Sequence, residues 1–228
     1  NYGSSGQVLT SGGGSAAPTW STISAGVDSD AAKNTVAGTD AGDSLVISGG
    51  GNTAWFNTLY GYKAGESITT GDNNILLGSN AGINITTGNG NVAIGHQALG
   101  EDGEGGYSNN IAIGEGTLKA CDSGGTDNIA MGYNAMYRNT SGQYNIALGR
   151  SSFDWNTTGS ENVAIGYNSL TNNSTGSRNV ALGQDALYSN RTQSDQTAVG
   201  SDALRTCETG ERNVAVGSKA LHDNDSGV

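Results

Sequence analysis

Few side chains in this sequence are suited to catalysis, and they do not converge. The two histidines, His96 and His222, lie seven repeats apart. The sequence holds no H-E-x-x-H, no C-x-x-C, no G-x-x-x-x-G-K-[ST] and no G-x-S-x-G, so the common metal, phosphate and nucleophile signatures are missing. Carboxylates are plentiful, with 21 Asp and Glu. A polysaccharide-cleaving pair therefore stays open on composition, but units of nearly constant length offer no long insertion to build its cleft. Glu101-Asp102-Gly103-Glu104 and Asp223-Asn224-Asp225-Ser226-Gly227 touch on calcium-loop spacing. The closing glutamate of such a loop is missing, and an acidic turn is the better reading. No catalytic residue, metal or cofactor is expected. Aromatic residues remain as binding candidates, because ring faces stack on sugars and anchor interfaces. Phe153, Trp155, Tyr137 and Tyr188 are the candidate receptor or glycan contacts. Phe153 and Trp155 lead, since they interrupt the consensus of their unit. The competing reading is that these rings shield the edge of the fold or pack on a neighbouring subunit.

What must hold these residues is a repeat. A glycine closes each A-[hydrophobic]-G, at Gly78, Gly95, Gly114, Gly132, Gly149, Gly166, Gly183, Gly200 and Gly217, with looser copies at Gly38 and Gly61. From Gly132 onward every step is 17 residues. We number positions from this glycine and name each coil by it. At position −4 stand Asn34, Asn57, Asn74, Asn91, Asn110, Asn128, Asn145, Asn162, Asn179 and Asn213, with Gln196 keeping the amide. Three residues follow that read β-branched, small, aliphatic, as in Val163-Ala164-Ile165. After the glycine come two variable residues, then Ala-Leu or Ala-Gly, then a polar stretch ending in Thr-Gly or Ser-Gly.

The apolar run is too short for a helix, and its alternation places Val and Ile on one face and Ala on the other. Strand and turn at fixed spacing predict an all-β solenoid, a β-roll of 17-residue coils. Ten or eleven coils rising about 4.8 Å each make a rod about 50 Å long. The asparagine column is expected to form an amide ladder inside it. With only 34% hydrophobic residues, the core is thin and built of Val, Ile, Leu and Ala. The alanine face is expected to pack against other chains, the alternative being that alanine fits a narrow core within one chain.

A net charge of −11 argues against nucleic acid and anionic membrane surfaces as partners. No run of apolar residues is long enough to span a bilayer. Cys121 and Cys207 share position +7 five coils apart, about 24 Å by strand spacing and too far to be bridged. They are expected as free thiols in a variable turn. Seven N-x-[ST] sequons occur, five of them (Asn139, Asn156, Asn173, Asn190, Asn224) at that same position. Turn geometry wants Asn and Thr there without any glycan. The Thr or Ser before the turn glycine forms one regular rank, which leaves an ice-binding face as an alternative. The chain begins without Met and stops within a repeat, so a fragment of a longer protein is expected.

Two stretches resemble a known family. Residues 3–20, GSSGQVLTSGGGSAAPTW, resemble the linker module of phage tail fibres. The N-[TVI]-A-[IL]-G-x-x-[AS]-L repeat resembles tail-fibre shafts and is similar to the heads of trimeric autotransporter adhesins. The resemblance implies a linker module over 1–33 and a repeat domain over 34–228. It also implies a homotrimeric fibre of the virion, attached to other fibre or baseplate proteins, that serves host attachment through a surface glycan or outer-membrane receptor. A bacterial cell-surface adhesin head and a glycan-degrading tailspike are the alternatives.

Overall fold

The structure is a computed structural model; it describes residues 32–46, 53–100, 106–121, 124–207 and 209–224, and the backbone of three strands near the N-terminus. Of those three, β1 (Gln7–Thr10) and β2 (Thr19–Thr22) pair antiparallel with each other. Residues 1–6, 11–18, 23–27 and 30–31 of the linker lie outside the described residues. The third, β3 (Asp28–Ser29), runs antiparallel to the first strand of the solenoid.

Eleven parallel strands then stack in chain order. They are β4 (Thr35–Ala37), β5 (Thr58–Tyr60), β6 (Ile75–Leu77), β7 (Val92–Ile94), β8 (Ile111–Ile113), β9 (Ile129–Met131), β10 (Ile146–Leu148), β11 (Val163–Ile165), β12 (Val180–Leu182), β13 (Thr197–Val199) and β14 (Val214–Val216). Register is strict: Ala147 pairs with Ala164, Ala164 with Ala181 and Ala181 with Ala198. The 17-residue period therefore makes an all-β solenoid, with no helix among the described residues. Residues 47–52 of the irregular early unit lie outside the described set. By Asn57 the chain is back on the repeat.

The anchor glycine is required twice over. At Gly166 φ is +133°, and an added Cβ would lie 2.6 Å from the carbonyl of Gly183 in the next coil. Side chains rarely adopt that backbone region. Other positive-φ sites accept ordinary residues. Position +4 is left-handed at Leu118, Met136, Phe153, Leu170 and Leu187. That unusual conformation turns a large side chain inward, and all five are fully buried.

The interior differs from the sequence expectation in two ways. First, the alanine face is the core of the single chain: Ala93, Ala112, Ala130, Ala147, Ala164 and Ala181 are all 0% exposed. It cannot meet another chain. Residue +4 fills the space opposite the strand and leaves room for only a methyl group at −2. Second, the strand Val and Ile residues are not core. They point outward and are half-buried or exposed.

Two kinds of coil share this plan. Coils 61 and 78 carry a large residue at −2 (Leu59, Leu76), glycine at +4 (Gly65, Gly82) and isoleucine at +7 (Ile68, Ile85). A Cβ at Gly82 would come 2.7 Å from Leu76 Cδ1 and 2.9 Å from Ile85 Cδ1. From coil 114 on, alanine at −2 is matched by a large +4 residue and by Asn or Cys at +7. Interior volume is conserved while its distribution changes, as close packing demands.

Candidate functional site

The asparagine column is a continuous hydrogen-bonded ladder. Each side-chain Oδ1 accepts the backbone N–H of the next ladder residue: Asn145 from Asn162 at 2.9 Å, Asn162 from Asn179 at 2.9 Å. In the 17-residue coils Nδ2 donates to the carbonyl at position +10, as Asn162 does to Gly176 at 3.0 Å and Asn145 to Gly159 at 2.9 Å, while in the longer coils Asn91 donates to Tyr107 and Asn110 to Gly125. Asn74, Asn91, Asn110, Asn128, Asn145, Asn162 and Asn179 are fully buried; Asn213, near the end, is half-buried. Gln196 reproduces both bonds, donating to Gly210 at 2.7 Å and accepting from Asn213 at 3.0 Å. The ladder satisfies backbone groups that turn away from the sheet.

A second ladder escaped the sequence reading. Position +7, read as a variable turn, faces inward. Asn156 donates to Asn139, Asn173 to Asn156 at 3.2 Å and Asn190 to Asn173 at 3.1 Å. All four are fully buried and closed to glycan attachment. Cys121 and Cys207 occupy the same inward slot as buried thiols not joined in a disulfide. Burial pushes the Cys207 thiol above its usual range, against a smaller opposing effect from Asn213.

Two outer surfaces remain. The first is the outward face of the sheet. Its columns at −3 and −1 run through all eleven strands without a charged residue. Ile75 is 41% exposed, Met131 42% and Ile165 38%, although neighbouring coils flank each of them.

The second is the edge formed by positions +5 to +8. The predicted contact residues divide here. Phe153 is a correction: it sits at +4, fully buried in the leucine slot, and offers nothing to a receptor. Its column reads Leu118, Met136, Phe153, Leu170, Leu187, Leu204, a steady apolar series that marked it as core. Trp155 is 47% exposed. Tyr137 and Tyr188 are half-buried. Each ring carries a cation from a neighbouring coil: Arg138 lies 3.7 Å from the Trp155 centroid, Arg205 5.0 Å from Tyr188 and Lys119 5.6 Å from Tyr137. The guanidinium on the indole is a close cation–π stack. Beside them, burial raises Asp154 to a pKa of about 6, with Arg138 opposing the rise.

Two clefts of about 440 and 400 Å³ open on this edge and share Trp155 as a wall. A third, of about 270 Å³, shares Arg191 with the second. Among the described residues no group of three His, Cys, Asp or Glu is placed to hold a metal ion. His96 lies 3.9 Å from Glu115 in the neighbouring coil, and His222 lies 2.7 Å from Asp223 in the last coil. The acidic stretch 101–104 and residues 225–227 lie outside the described residues. No helix among the described residues is long and apolar enough to cross a membrane. Comparison of the chain with protein-family profiles, curated proteins and solved structures finds no match.

Proposed function

We propose that this chain is a shaft segment of a phage tail fibre, a homotrimeric rod that links the virion to its host and carries a binding edge toward it. The observation that carries the reading is the outward apolar face of the sheet. The largest apolar patch on a monomeric protein covers about 300–600 Å² and is often a site of interaction. A strip about 50 Å long and 10 Å wide covers about 500 Å² in projection. Its unbroken, charge-free columns are what a subunit interface asks for. Because every coil repeats along one axis, coaxial packing of identical chains gives each coil an equivalent neighbour. The number three and the virion setting come from the resemblance of residues 3–20 and of the NVAIG-type repeats to tail fibres.

Light scattering on the native protein tests the reading. A mass of three times 23.0 kDa supports it. A mass of one or two chains refutes the trimer. Ile165→Lys with Val180→Lys, both outward, should yield a folded monomer.

A further inference from the structure

We infer that the Trp155 edge is a binding groove for an anionic polysaccharide, with a pyranose ring seated on the side of Trp155 away from Arg138. This rests on the host-attachment reading above and names the class of ligand. Four of the ten basic residues lie on this one edge: Lys119, Arg138, Arg191 and Arg205. The same columns between coils 114 and 200 hold one described acidic residue, Asp154; Asp122 and Glu208 belong to them but lie outside the described residues. On a chain of net charge −11, such a concentration is a local reversal of sign, and it selects for negative ligands.

The geometry adds the sugar. Position +6 reads Ala120, Arg138, Trp155, Asn172, Ser189 along the rod. The guanidinium of Arg138 covers the indole from the preceding coil. Bulk then falls away at Asn172, and the 400 Å³ cleft opens beside the ring, closed by Ser174 and Arg191. Thr157 Oγ1 donates to the Ser174 carbonyl at 2.8 Å, and Ser174 Oγ to the Arg191 carbonyl at 3.2 Å. Both hydroxyl hydrogens are committed inward, so their lone pairs are left to accept from sugar hydroxyls. The Arg191 guanidinium supplies the forked donor that fits a carboxylate or sulfate. The three clefts run along the rod, and a linear glycan advances by roughly one ring per coil rise of about 4.8 Å. A nucleic acid also offers rings and charge, but its one phosphate per nucleotide meets the repulsion of an acidic rod. A glycan whose charge is sparser along its length meets less of it.

The test uses the intact chain on a set of uronate, sialate and sulfated oligosaccharides, each beside a neutral analogue, with a single-stranded oligonucleotide as a further probe. Binding of at least one acidic oligosaccharide, about tenfold or more above its neutral analogue, is expected from the charged contact. Trp155→Ala should lower that affinity about tenfold through loss of the stacking face. Arg191→Gln should lower it too and flatten its salt dependence. Both side chains are outward, and an unchanged circular dichroism spectrum and thermal midpoint show that the variants fold. The inference is overturned if no acidic oligosaccharide binds, if neutral analogues bind equally, if the oligonucleotide binds better, or if both variants bind like wild type. Mass and binding fail separately: a trimer without acidic-glycan binding ends the inference alone, and a monomer that binds ends only the fibre reading.

Discussion

Replacing Asn162 by alanine tests whether the amide ladder holds the coils together. Asn162 Nδ2 donates to Gly176 O, and its Oδ1 accepts from the Asn179 N–H. Asn145 Oδ1 keeps a partner after the change, because the Asn162 backbone N–H still donates to it at 2.9 Å. One buried backbone donor, the Asn179 N–H, is thus orphaned, while the Gly176 carbonyl keeps a second donor in Asn173 Nδ2 at 2.9 Å. At about 1–3 kcal/mol for one unsatisfied buried group, the loss is about 2 kcal/mol. Gln196 supplies the control, since it closes the same two bonds with one more methylene. Asn162→Gln should therefore stay within about 1 kcal/mol of wild type, the cost of a tight repacking. In a solenoid each coil touches only its neighbours, so the damage should be local. Native-state hydrogen exchange at the Val163 and Val180 amides reads it, these donating to Asn179 and Gln196 carbonyls at 2.8 Å. Their protection should fall about thirtyfold in the alanine variant, by the conversion of 1.4 kcal/mol per tenfold. Amides in coils 61 and 78 should be unchanged. Protection within twofold of wild type for Asn162→Ala refutes the reasoning, as does an equal loss for Asn162→Gln.

Gly166→Ala should cost about 3 kcal/mol or more, since strain at φ +133° and a backbone collision add; Gly217→Ala, where a Cβ meets nothing within 4 Å, should cost clearly less in thermal denaturation. Gly82→Leu alone should destabilise through collision with Leu76 and Ile85, while Gly82→Leu with Leu76→Ala and Ile85→Asn should recover stability as the later coils do; additive losses would contradict the volume exchange. Asp154 has a folded pKa of about 6 against 3.8 for the ordinary group. The folded state therefore binds the proton more tightly, and this group's contribution to stability is present at low pH and lost as pH rises from about 4 through about 6. Asp154→Asn should then match wild type near pH 4 and exceed it above pH 7 by about 1 kcal/mol, allowing for solvent screening of a half-buried group; denaturant titrations at both pH values check the sign.

The period, the strand triplets and the asparagine column were legible because each recurs at fixed spacing. Alternation along Val163-Ala164-Ile165 separates two faces, but it does not say which is inside. That depends on what lies across the coil. Here it is residue +4, swung inward by a left-handed backbone that sequence reasoning did not assign to Leu, Met or Phe. Missing this turned the alanine face outward and Phe153 into a surface residue. The apolar constancy of the +4 column was the available signal. The inward turn of Asn139 and Cys121 was hidden for a related reason: polar residues before a Thr-Gly turn look exposed unless the turn folds under the coil. Trp155 and its cation partner fall at variable positions, and only the stacking of adjacent coils reveals that position +6 of one coil covers position +6 of the next.

The distribution of apolar side chains ties the shape of the rod to the proposed association. An ordinary domain buries its β-branched residues; this chain fills its interior with alanine, one large residue per coil and two columns of amides. The coil is narrow, and closing its turns leaves backbone groups inside that only short polar side chains can reach. Val, Ile and Leu at positions −3 and −1 of the strands are thereby excluded from the core by size and by the register of the ladder. Stacking coil on coil half-covers them but cannot finish the burial, because each strand's outer face is perpendicular to the stacking direction. The remaining area grows with every coil added, so a longer rod carries a proportionally larger drive to associate along its length. Association along that face would stabilise each coil by the same increment, which is the property a stiff fibre needs and an isolated solenoid has no use for.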